Sequence, residues 1–105
     1  MKKVFSMALK GNKRFLRLFG DSGKPKGMVS GLVSLKPKES IGCHNTLGKE
    51  EALIILKGLA QVSYGEKSTI KVKAQSFVYI PPETDHDVRN IGKSILCYVY
   101  LTASL

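Results

Sequence analysis

Short apolar segments, closely spaced and separated by glycine- and proline-bearing turns, predict an all-β sandwich or barrel. Three observations carry this reading. Seven segments of four to eight residues are rich in β-branched, aromatic and aliphatic side chains. Turn signals interrupt them, and almost no stretch has the length and spacing of a helix.

Residues 1–13 are expected to form an amino-terminal arm or an edge strand. The first segment, 14–19, closes at Gly20-Asp21-Ser22-Gly23, and the second, 28–35, closes at Lys36-Pro37-Lys38. Residues 52–56 (Ala-Leu-Ile-Ile-Leu) carry no polar side chain on either face, whereas a strand with one wet face should alternate, so both faces are expected to be covered. A buried helix would share that composition, but Gly58 ends the run too early for one. Residues 60–64 and 69–72 flank Gly65-Glu66-Lys67 as a hairpin would, and 76–80 stops at Pro81-Pro82. After Asn90-Ile91-Gly92 comes 95–102, again apolar on both faces. Such a doubly covered strand packs on a second sheet or another subunit, and a homodimer is the expected assembly because twofold homo-oligomers are the commonest.

The 105 residues fit one domain, at 43% hydrophobic and 24% charged. The apolar stretch 4–9 is too short for a secretory segment, and no run reaches membrane-spanning length. Cys43 and Cys97 lack metal-finger or CxxC spacing, which suits reduced thiols in a cytoplasmic protein. The net charge of +9 would suit nucleic acid, but fourteen of the seventeen basic residues are lysines scattered along the chain without an interleaved aromatic signature. That distribution reads as a solvated surface whose field favours small anions.

The chain has only two histidines, His44 and His86. With Glu51 they make two imidazoles and a carboxylate, a donor set suited to non-haem iron and compatible with catalytic zinc or manganese when positions stay open for solvent or substrate. Taken singly, His44 also reads as a hydrogen-bonded core histidine, Glu51 as a surface carboxylate near Lys49, and His86 as a turn residue after Pro81-Pro82.

The spacing around these residues resembles the two motifs of the cupin superfamily. The first runs glycine, five residues, His-x-His, three or four residues, glutamate, six residues and glycine; here Lys38, His44, Thr46, Glu51 and Gly58 occupy those positions. The second runs glycine, five residues, Pro-x-Gly, two residues, histidine, three residues and asparagine; Gln75, Pro81, Glu83, His86 and Asn90 occupy it, sixteen residues after the first. Threonine thus replaces the second histidine, while Lys38, Gln75 and Glu83 stand where glycines are usual. The resemblance covers about residues 32–101 and implies a double-stranded β-helix, or jelly-roll, barrel with His44, Glu51 and His86 as ligands of a divalent iron, manganese, zinc, nickel or copper ion. Thr46 would take a fourth position or touch substrate.

Strand parity accords with that placement, since residues two apart share a face. His44 then sits with Thr46, and His86 with Thr84 and Val88. Glu51 rather than Glu50 alternates with Leu53 and Ile55. Leu53, Ile55 and Tyr79 are candidate cavity-lining residues, and Phe77 shares the parity of Tyr79 with a core-packing role.

Three function classes follow. A metal-dependent enzyme of dioxygenase or isomerase type would act on a small anionic or carbonyl compound. A metal-free barrel would bind a sugar or carboxylate without catalysis. A nucleic-acid or protein interaction module rests on charge alone. Metal-independent epimerisation would need an acid and a base from Tyr79, Tyr98, Tyr100 or lysines. No Ser-His-Asp set, phosphate-cradling loop or dinucleotide fingerprint is present.

Overall fold

The computed structural model describes residues 4–10, 13–19 and 27–104, so the Gly20-Asp21-Ser22-Gly23 turn lies outside the described residues. Among the described residues nine strands follow one another: β1 (Phe15–Phe19), β2 (Met28–Leu35), β3 (His44–Asn45), β4 (Lys49–Lys57), β5 (Leu59–Tyr64), β6 (Ser68–Lys73), β7 (Ser76–Ile80), β8 (Asp85–Asn90) and β9 (Leu96–Ser104). Residues 4–10 form neither strand nor helix, and no helix occurs among the described residues. Accordingly no helix there is long and apolar enough to cross a membrane.

The strands make two antiparallel sheets, ordered β1-β2-β9-β4-β7 and β3-β8-β5-β6. Inserting the last strand between β2 and β4 gives the crossed connectivity of a jelly roll, and the sheets face each other as a double-stranded β-helix. Between them lies the core. Val33, Leu35, Leu53, Ile55, Leu96 and Tyr98 point inward from one sheet to meet Ala60, Val62, Val72 and Val88 of the other. Burial of that apolar surface at about 25 cal/mol per Å² is the main term holding the layers together.

Gly58 turns β4 into β5 with φ of 94°, and a Cβ there would lie 2.8 Å from both the Ile95 carbonyl oxygen and Leu96 Cα. Conformation and crowding both require glycine at this corner.

Three expectations need correction. The outer face of residues 52–56 is not covered: Ile54 and Leu56 are exposed, as are the β7 neighbours Phe77 and Tyr79. The pairing Ile54↔Phe77 and Ala52↔Tyr79 places both aromatics on this outer face, because Leu53 and Ile55 take the inward parity. Phe77 therefore does not pack in the core. Among the described residues the outer face is closed at the other end of the sheet, where Leu32, Cys97 and Val99 are buried and the half-buried Leu16 and Leu18 pack against them. β3 and β8 are additional strands that apolar content does not reveal; β8 reads Asp-His-Asp-Val-Arg-Asn and buries His86, Val88 and Asn90.

Candidate metal centre

β3 pairs with β8 in a register that sets His44 opposite His86. Their rings lie 4.1 Å apart between centroids and tilt by 60°. Glu51 enters from β4 of the opposite sheet, buried, with Oε1 2.9 Å from His86 Nε2. One ligand atom from each of His44, Glu51 and His86 falls within 4.8 Å of the others, the only such cluster among the described residues. Glu50 takes the opposite parity and accepts a 2.6 Å hydrogen bond from the Tyr79 hydroxyl on the outer face. This bond to Glu50, burial and the carboxylate's charge hold the Tyr79 phenol above its ordinary pKa.

Backbone carbonyls fix both imidazoles. His44 Nδ1 lies 2.9 Å from the Gly42 oxygen and His86 Nδ1 lies 3.0 Å from the Thr84 oxygen. A carbonyl only accepts, so each Nδ1 carries the proton and, in the neutral ring, each Nε2 presents its lone pair. Such hydrogen bonds are the ones that set tautomer and ring direction around metals. His86 Nε2 is buried without an aligned hydrogen bond despite its short approach to Glu51, an arrangement that suits donors aimed at a shared third point better than a closed pair. Burial pulls the His86 pKa down, but Glu51, the Thr84 carbonyl and Asp87 outweigh it and hold it above the ordinary value. The donor set and its geometry thus fit a divalent metal ion.

Thr46 is buried beside this cluster and lines the same cavity. Its hydroxyl donates to the Pro81 carbonyl at 2.8 Å and accepts from the Thr84 amide at 3.0 Å. The side chain therefore ties the end of β3 to the segment that leads into His86, and its proton is not directed at the cluster. Thr46 thus adds no donor to the three of the cluster.

The cluster opens into a cavity of about 400 Å³ between the sheets. Leu53 lines it, whereas Ile55 lies deeper in the core and Tyr79 is outside on the opposite face. Ile55 sits two residues beyond Leu53 on β4 and is fully buried among core side chains, and Tyr79 shares the outward parity of Ala52. Tyr98 and Tyr100 do face the cavity. Burial chiefly, then Glu51 and Asp87, push the Tyr98 pKa far above the phenol range, so its hydroxyl stays protonated.

The family model described as "Cupin domain" matches residues 31–102. This chain belongs to the cupin family. The cupin is similar to a cupin-family protein of Methanocaldococcus jannaschii described as having a double-stranded β-helix fold, at TM-score 0.80 and 19% identity over 99% of this chain and 92% of that one. It also resembles the Schizosaccharomyces pombe Cnp3 cupin domain, at TM-score 0.77 and 20% identity over 87% of this chain and 64% of that one. A third similar structure is a predicted oxalate decarboxylase of Thermotoga maritima, at TM-score 0.69 and 22% identity over 73% of this chain and 66% of that one. The cupin spans just under two-thirds of the length of the latter two, and likeness at such identities shows the fold alone. Comparison with curated proteins finds no match.

The departures from the cupin motifs have a structural reading. Lys38, Gln75 and Glu83, at the usual glycine positions, have φ of 75°, 65° and 56°. These three positions turn through the left-handed region without the residue that adopts it at least cost. Asn90, the final motif residue, is fully buried: it donates to the Leu35 and Ser94 carbonyls and accepts from the Gly92 amide, so it holds loops rather than a ligand. Sequence reasoning missed the residues that align β3 with β8. Asp87 accepts from the Gly42 amide at 2.9 Å, and Asn45 donates to Asp85 at 2.8 Å. Their alternation with His86 was the available signal. It also missed Phe15 and Arg17 at the cavity rim, which have no motif to mark them.

Proposed function

We propose that this cupin binds a divalent transition metal ion, one of iron, manganese, zinc, nickel or copper, through His44 Nε2, the Glu51 carboxylate and His86 Nε2. The observation that carries this reading is the convergence of two δ-protonated imidazoles and a buried carboxylate, with His86 Nε2 left without an aligned protein partner. A bound ion would supply Lewis acidity or an oxygen-binding centre. The chain's own residues would orient a small anionic or carbonyl compound and exclude water, through the apolar walls around Leu53, Val33 and Val88. A protein of similar fold is described as a predicted oxalate decarboxylase, a name that accords with a small anionic substrate, and a dioxygenase or isomerase type of activity is part of the proposal.

Elemental analysis of untagged protein purified without chelator tests the centre. Near-stoichiometric metal is expected in the parent and in Glu50→Ala, with little in His44→Ala and His86→Ala. Absence of metal after reconstitution with each ion would replace this reading by a metal-free barrel that binds a sugar or carboxylate.

The same proposal places the protein in the cytoplasm, where the free thiols of Cys43 and Cys97 persist. It also makes the protein a homodimer across the outer face of β4 and β7. Phe77 is 75% exposed, Tyr79 54% and Ile54 43%, and the strand pairing makes them one patch. Sedimentation should give a dimer that Phe77→Lys converts to monomer; a monomeric parent at micromolar concentration would remove this element.

A further inference from the structure

Outside the candidate metal centre a further charged group faces the cavity. Arg17 on β1 lines it, with the guanidinium carbon 5.4 Å from the centre of the Phe15 ring. Phe15 in turn stacks on Tyr100, with centroids 5.9 Å apart and an interplanar angle of 18°. Gly31 makes this arrangement possible. A Cβ there would lie 2.5 Å from the Tyr100 ring, so only glycine lets the ring lie across β2 toward β1. Glycine inside a strand costs about 0.5–1 kcal/mol relative to alanine, a cost accepted here where it builds a cavity wall.

The charges on that wall are unbalanced. Arg17 and Lys49 line the cavity against Glu51 as its single carboxylate. Among the described residues, Arg17 has no carboxylate within ion-pair distance; the ion pairs found are Arg14 with Glu39 and His86 with Glu51. A guanidinium held against an aromatic face beside the Tyr100 hydroxyl, with five N–H donors and no carboxylate partner among the described residues, is a ready receptor for a carboxylate. Much of the remaining lining is apolar and aromatic, including Val29, Val33, Leu53 and Tyr98.

Glu51 and Arg17 lie on strands separated by three spacings in the order β4-β9-β2-β1, roughly 14 Å along the sheet before side chains reach inward. We propose that the cavity takes a small organic carboxylate with a planar apolar body, its carboxylate received by Arg17 and its opposite end directed to His44, Glu51 and His86. The orientation of that opposite end rests on the proposed metal-centre reading, whereas recognition by Arg17 does not.

The test is calorimetric titration of phenylacetate and of its neutral analogue phenylacetamide into chelator-treated and metal-reconstituted protein. The parent should bind the acid at least tenfold more tightly than the amide in both states. Arg17→Gln, on an exposed edge strand, should lose that discrimination while keeping its affinity for the amide and an unchanged circular dichroism spectrum. Arg17→Lys should keep part of it. Equal affinity of the parent for acid and amide, or no binding of either at millimolar concentration, would overturn the proposal without any variant. An Arg17→Gln affinity for the acid within twofold of the parent would overturn it too. Elemental analysis of the same samples separates the two readings. Discrimination without metal leaves Arg17 recognition standing and removes the metal centre, while metal without discrimination does the reverse.

Discussion

Thr46→Val keeps the shape of a buried side chain and removes only its hydroxyl. Two hydrogen bonds go with it, the one donated to Pro81 at 2.8 Å and the one accepted from Thr84 at 3.0 Å. At about 1 kcal/mol net for each, the metal-free protein should lose about 2 kcal/mol, rising toward about 4 kcal/mol if the freed carbonyl and amide stay dry. Pro81 is exposed and Thr84 is half-buried, so water can reach the freed groups and the lower figure applies. With a urea dependence of about 1.5 kcal/mol per molar, the unfolding midpoint should fall by roughly 1.3 M. Thr46→Ser keeps both bonds and should move it far less. Because Thr46 acts here as a tether and not a ligand, metal affinity should fall by no more than about tenfold, the lower end for groups that only support ligands. Urea unfolding of chelator-treated protein and competitive metal titration read the two quantities separately. Unchanged metal-free stability combined with abolished metal binding would refute the tether and make Thr46 a ligand.

Further outcomes follow from the same geometry. Replacing Lys38, Gln75 and Glu83 by glycine removes a left-handed penalty of about 1–2 kcal/mol per site, offset by about 0.5–1 kcal/mol of glycine's extra chain entropy. The triple variant should therefore gain about 2 kcal/mol in urea unfolding, and no gain would show that those side chains make compensating contacts. Asn90→Ala removes three side-chain hydrogen bonds at a fully buried position and should cost about 3 kcal/mol; a loss below 1 kcal/mol would contradict its structural role. The raised His86 pKa carries a definite sign in the metal-free protein. Its contribution is fully present below the unfolded value of 6.5 and is lost as pH rises through the higher folded value. Thermal melts of chelator-treated protein should show this decline in the parent and not in His86→Gln. Added metal should reverse the trend, since protons compete for Nε2, and stabilisation by metal that is independent of pH would exclude imidazole ligation.

Much of the barrel was legible in the sequence because strand periodicity and turn chemistry are local. Segments 28–35 and 76–80 coincide with β2 and β7, and the other apolar segments differ from their strands by a few residues at the ends. Parity separated Glu51 from Glu50, since a period of two assigns neighbours to opposite faces, and the six-residue distance to Gly58 favoured Glu51 for the inner one. What parity does not supply is the identity of the inner face when both are apolar. Ala-Leu-Ile-Ile-Leu has no polar label, so only the pairing of β4 with β7 and β9 turned Leu53 and Ile55 inward and left Ile54, Phe77 and Tyr79 outside.

The sequence by itself determined an all-β chain with two histidines and a glutamate at cupin spacing, because spacing along a strand is a property of the local backbone. Tertiary structure decided the chemistry of the site. The approach of Glu51 from one sheet to His86 on the other, the two hydrogen bonds of Thr46, and the meeting of Arg17, Phe15 and Tyr100 over Gly31 join residues far apart in the chain. Such contacts exist only once the registers of both sheets are set, and those registers depend on burial across the whole molecule rather than on any single segment.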